Sequence, residues 1–146
     1  MRMTTRNGIS VLGTACLLAC GGKPAAKTEQ YSSTPLSVTS CMAGALTLRA
    51  FSLPQTPAAA TEMQFKLEAK DAGGAPVTGL ELGVQPWMPE MRHGSPVTPD
   101  VSESGSGVYD VSNVDFTMVG AWQLRLTISG TMSGSCTIDV NISPSA

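Results

Sequence analysis

Large apolar and polar residues alternate along most of the chain from Leu46 to Ile142. Met63, Phe65, Leu67 and Ala69 alternate with Gln64, Lys66, Glu68 and Lys70. That is the period of a strand with one buried face and one charged face. The same pattern recurs in Leu46, Leu48 and Ala50, in Leu80, Leu82 and Val84, in Trp122, Leu124, Leu126 and Ile128, and in Cys136, Ile138, Val140 and Ile142. One segment changes phase: Tyr109 and Val111 share one parity, whereas Val114, Phe116 and Met118 share the other. A bulge near Ser112-Asn113 reconciles the two. Gly73-Gly74-Ala75-Pro76, residues 94–107 and residues 129–134 read as turns or loops, and no window has a helical period. The prediction is an all-β fold, an antiparallel sandwich of about six to eight short strands.

The first residues do not share this pattern. Arg2 and Arg6 precede an apolar run, residues 8–19, that is too short to span a bilayer and has the form of a signal peptide. It ends in Leu17-Leu18-Ala19-Cys20-Gly21, which resembles a bacterial lipobox. The rule for such motifs implies cleavage before Cys20 and lipidation of its thiol; a plain signal peptide cut nearby is the alternative. Gly21 rather than Asp after Cys20 points to the outer membrane, facing the periplasm, or to the plasma membrane of a Gram-positive host. Residues 20–40, rich in Gly, Pro, Ala, Lys, Thr and Ser, then form a lipidated cysteine and flexible tether, and residues 41–146 form one domain. The formal charge is −2, and loss of Arg2 and Arg6 makes the mature chain more acidic still. This disfavours nucleic acid and anionic lipid as partners.

With Cys16 lost and Cys20 lipidated, Cys41 and Cys136 remain in an exported chain. One disulfide is expected, closing a long loop for about 4 kcal/mol of stability. Two free or metal-binding thiols are the other reading, although neither cysteine belongs to a Cys-x-x-Cys pair.

The stretch Trp87-Met88-Pro89-Glu90-Met91-Arg92-His93-Gly94 gathers two thioethers and the only histidine of the chain. Thioethers are soft ligands that escape disulfide capture and have no proton to lose, which suits Cu(I) in an oxidising compartment. Met88, Met91 and His93 are therefore candidate ligands, and Met118, one strand away, is the candidate fourth. Trp87 and Trp122 are candidate shields for the metal. Each residue also has a structural reading. Met88 continues the buried parity of Leu80, Leu82 and Val84, Met91 covers a sandwich end, and Met118 belongs to the core.

Met88-Pro89-Glu90-Met91-Arg92-His93-Gly94 resembles the Met-Pro-x-Met-x-His-Gly signature of YtkA-like domains. Gly107-Val108-Tyr109 and the run Phe116-Thr117-Met118-Val119-Gly120-Ala121-Trp122 are similar to that family's downstream motifs. The resemblance implies an exported or membrane-anchored immunoglobulin-like sandwich associated with copper handling, with Met88, Met91, His93 and Met118 as ligands. The leading expectation is thus a lipid-anchored extracytoplasmic Cu(I) carrier or chaperone serving a copper-handling envelope protein. The alternative is a non-metal adaptor module of an envelope transport or respiratory complex. An enzyme is not expected: His93 is the only imidazole, and it lies among thioethers rather than beside a nucleophile and an orienting carboxylate.

Overall fold

The computed structural model describes residues 30–145; the signal sequence, Cys20 and most of the tether lie outside the described residues. Among the described residues there are nine strands: β1 (Ser37–Cys41), β2 (Leu46–Leu53), β3 (Glu62–Asp71), β4 (Leu80–Met88), β5 (His93–Gly94), β6 (Asp100–Gly105), β7 (Val108–Asp115), β8 (Gly120–Gly130) and β9 (Gly134–Ile142). They form two antiparallel sheets, β1-β2-β3-β7-β6 and β5-β4-β8-β9. The alternation explains the arrangement. Leu46, Leu48, Met63, Phe65, Leu67, Tyr109 and Val111 line the inner face of the first sheet, and Leu80, Val84, Trp122, Leu124, Leu126 and Ile138 that of the second. Neither face is stable in water alone, and together they form one core.

The expected phase change occurs at the expected place. Met63 pairs with Val114 but Phe65 pairs with Val111, so Ser112 and Asn113 oppose the single residue Gln64. Asn113 takes a left-handed conformation, φ 58°, at this bulge.

Three strands have no counterpart in the alternation: the two-residue β5 and the longer β1 and β6. Residues 94–107, expected to be loop, contain β6, and β1 begins within the stretch expected to be tether. Both are edge strands. Asp100–Gly105 contributes only Val101 to the core margin, and Ser37–Cys41 buries only Cys41. An edge strand facing water on one side needs few large apolar residues, so it leaves little periodic signal.

Cys41 and Cys136 are joined across the two sheets by a disulfide that closes a separation of 95 residues. Met42 lies over this end, against Gly134. The opposite end holds the termini of β2, β4, β7 and β9 and the start of β8, where Phe116 and Trp122 meet edge-on with ring centroids 5.3 Å apart.

Tyr109 ties the β3–β4 connection to β7. Its hydroxyl donates to the Val77 carbonyl at 2.9 Å and accepts from the Leu80 N–H at 3.1 Å. Burial raises its pKa; the Leu80 bond opposes the rise and the Glu103 carboxylate adds to it. A folded-state value above the unfolded one means that the neutral hydroxyl's contribution is fully present below about pH 10 and is lost as pH rises through the folded value. We expect Tyr109→Phe to cost about 1–3 kcal/mol near neutral pH, because a buried N–H loses its acceptor. The variant should also lose less further stability than the wild type above about pH 10. Urea unfolding on both sides of that pH checks both outcomes.

Candidate functional site

The thioether and imidazole residues sit at the end of the sandwich remote from the disulfide. Met88 is the last residue of β4 and pairs directly with His93 of β5. Residues directly opposite in an antiparallel pair project to the same side, so Met88 and His93 share the inner face. Trp87 pairs with Gly94 and takes the other face, where the Arg125 guanidinium lies 4.7 Å from the centre of its ring. The two tryptophans therefore have different places: Trp87 faces outward, and Trp122 lies in the core beside His93.

Trp122 organises the site. Its ring meets that of His93 edge-on, with centroids 5.7 Å apart and planes at 77°. Its indole N–H donates to the Met118 carbonyl at 2.9 Å. The turn between β7 and β8 is thereby held to the same side chain that packs against the imidazole. Gly120 brings Met88 into the group. Its φ is +129°, a conformation that favours glycine, and a Cβ there would stand 2.9 Å from the Met88 Cε methyl. The Met88 side chain thus reaches from β4 to the first residue of β8.

The four candidate ligands differ in exposure. Met88 is 4% exposed, His93 is half-buried, Met118 is 41% exposed and Met91 is 55% exposed. The structural reading thus holds for Met88, which is core, and fails for Met118. β7 ends at Asp115, so Met118 falls in the following turn rather than continuing the buried row through Phe116. Met91 occupies the tight turn in which the Arg92 N–H donates to the Pro89 carbonyl at 3.3 Å. Arg92 is exposed, with φ +52°. The ion pairs among the described residues are Arg49–Glu68 and Lys66–Glu68, and neither involves Arg92.

His93 Nδ1 lies 3.1 Å from the Gly94 carbonyl oxygen. A carbonyl only accepts, so the bonded neutral imidazole carries its proton on Nδ1 and leaves the Nε2 lone pair free. This tautomer is the form that binds a metal through Nε2. Among the described residues no three His, Cys, Asp or Glu side chains form a metal-sized cluster, so a metal here depends on the thioethers and His93. The periodicity did not reveal the contact of Gly120 with Met88 or the anchoring of Met118 to Trp122. The short spacing Met118-x-Gly120-x-Trp122 was the available signal.

The fold defines the class: a disulfide-closed β-sandwich, with Met88, Met91, His93 and Met118 at the end opposite the disulfide. The chain belongs to the YtkA-like family, whose profile matches residues 49–127 and so includes Met88, Met91, His93, Met118 and Trp122. No curated protein matches the chain significantly in sequence. The solved structure of a DUF4426 family protein from Pseudomonas aeruginosa PAO1 is similar, with a TM-score of 0.52 over 75% of this chain and 99% of that one. At 8% identity that likeness shows the fold alone.

The contact between Gly120 and Met88 is open to a direct test. Gly120→Ala should cost about 1–3 kcal/mol, from backbone strain and from displacement of the Met88 methyl. In a Met88→Ala background the cost should fall to the strain alone, giving a coupling of about 0.5 kcal/mol or more in a double-mutant cycle. Additive losses in chemical denaturation would show that the two residues do not touch.

Proposed function

We propose that this protein is a lipid-anchored, extracytoplasmic copper-binding protein that carries Cu(I) on Met88, Met91, His93 and Met118. The observation that carries the reading is the direct pairing of Met88 with His93, which puts a thioether and an imidazole on one face. Nδ1 is bonded to the Gly94 carbonyl, so Nε2 is the nitrogen left to bind a metal. Three thioethers and a neutral imidazole form a soft donor set that favours Cu(I) over harder cations. Cys41 and Cys136 do not compete, because they are joined in the disulfide at the far end of the sandwich. The graded exposure suits a carrier. Met91 and Met118 are open to a partner's ligands, whereas Met88 and His93 are backed by the core. A copper-handling protein of the cell envelope is the corresponding partner. The role is binding rather than catalysis, since no second imidazole supplies a base.

The packing of Met88 on Gly120 also fits a second reading, in which the Met-Pro-x-Met-x-His-Gly turn is a structural corner of an adaptor module. Anaerobic Cu(I) titration against a competing chelator separates the two. The Met88/Met91/His93 triple alanine variant should lose affinity by about 100-fold or more, the scale of losing several soft ligands. Met91→Ala/Met118→Ala, which leaves the core intact, should lose at least about tenfold. Wild-type affinity in both variants would overturn copper carriage in favour of the adaptor.

Anchoring is a separate proposal, resting on the Leu17-Leu18-Ala19-Cys20-Gly21 motif. In a bacterial host, Cys20→Ser should abolish incorporation of labelled fatty acid and move the protein from the membrane to the soluble fraction. Retention of label by the variant would reject Cys20 as the lipid site.

A further inference from the structure

The tether and the candidate site leave the sandwich at the same end. The Gln30 carbonyl accepts from the Gln55 side chain, the Ser32 N–H donates to the Ser52 carbonyl, and the Leu36 N–H donates to that of Ala50. The incoming chain is thus laid along β2 from beyond its C-terminal end. That end carries the start of β1 and the ends of β4 and β9, whereas Cys41 and Cys136 mark the other. Leu36 lines a shallow groove with Pro89, Ala121, Trp122 and Val140, which places it beside the thioether turn.

The apolar surface has the same bias. The large apolar side chains exposed among the described residues are Leu36, Val38, Met91, Met118 and Val119. Leu36 precedes β1 and Val38 is its second residue, Met91 lies in the β4–β5 turn, and Met118 and Val119 lie in the β7–β8 turn. Four of the five stand at or near the end where the tether leaves; Val38, paired with Arg49, lies midway along its sheet. Ten steps along the chain lead from Cys20 to Gln30, at most about 35 Å at full extension.

We infer that the loop tips bearing Leu36, Met91, Met118 and Val119 seat in the headgroup layer of the bilayer that holds the Cys20 lipid, so that the thioether end faces the membrane. The inference rests on anchoring at Cys20, not on copper binding. A leash this short gives the tips a local concentration of roughly millimolar at the bilayer, so weak contacts suffice to populate the docked state. The tips stand on three separate connections, a geometry suited to a deformable headgroup layer rather than to one shape-matched pocket. Glu62, Glu90, Asp115 and Asp139 outnumber Arg92 at this end, so charge gives no attraction to headgroups; the contact is apolar and, on a zwitterionic bilayer, insensitive to salt.

The native methionines supply reporters at both ends: Met91 and Met118 at the tips, Met42 and Met132 at the disulfide end. Residues 20–146, with the Cys41–Cys136 disulfide intact, have Cys20 as their only free thiol. Coupling that thiol to a maleimide lipid in phosphatidylcholine nanodiscs bypasses biological lipidation, so failure here is distinct from failure of the Cys20 assignment. With methyl-labelled methionine, no copper and a paramagnetic headgroup lipid, the Met91 and Met118 signals should broaden at least about threefold more than those of Met42 and Met132. Leu36→Asp/Val119→Asp, which keeps all four reporters, should erase the difference, and added salt should not. Equal broadening at the two ends of the wild type would overturn bilayer seating and leave a membrane-embedded protein as the occupant. A difference that survives the double aspartate variant would also overturn it, by showing that the leash alone sets the orientation.

Discussion

Two sheets can share one core only if both open ends between them are closed, and the candidate site depends on how the end remote from the disulfide, the upper end, is closed. The lower end has a covalent clasp, Cys41–Cys136, with Met42 over Gly134. The upper end has Trp122. This one indole packs on Phe116, meets His93 edge-on and holds the Met118 carbonyl. Without it the core would open to water just where the β4–β5 and β7–β8 connections meet. A packing requirement thus brings the thioether turns together, and the candidate chemistry is built on the closure rather than inserted into it.

The division of labour follows from strand geometry. Met88 and His93 share a face because they are directly paired, and Trp87 is turned outward by the same alternation. The inner pair is rigid because the core supports it. Met91 and Met118 lie on turns, where exposure and freedom of movement are greater. The proposed carrier role would draw on both: a supported pair to retain an ion and an exposed pair to exchange it.

Much of this was legible in the sequence, for reasons that can be traced to particular residues. Strands buried on one face, such as Glu62–Asp71 and Gly120–Gly130, announce themselves by alternation, and the change of parity around Ser112-Asn113 located a bulge. The edge strands Ser37–Cys41 and Asp100–Gly105 were not legible, because pairing on one side and water on the other place little demand on side-chain type. At the site, the spacing of Met88, Met91 and His93 was visible. The burial of Met88 followed from its parity, but the exposure of Met118 did not, since a strand's period says nothing about where the strand stops. The role of Gly120 was hidden because a glycine records an absence: the space it leaves is filled from another strand.

Pro86 has a consequence that reaches beyond a single molecule. It lies on β4 beside the two-residue β5, has no N–H to offer, and its carbonyl already accepts from Ser95. The sheet edge next to the thioether turn is therefore blunt. Proteins confined to a membrane plane meet one another at high density and in similar orientations, conditions that favour strand-to-strand addition. In the proposed anchored state, a chain blunted at this edge can crowd beside its own copies without zippering to them there.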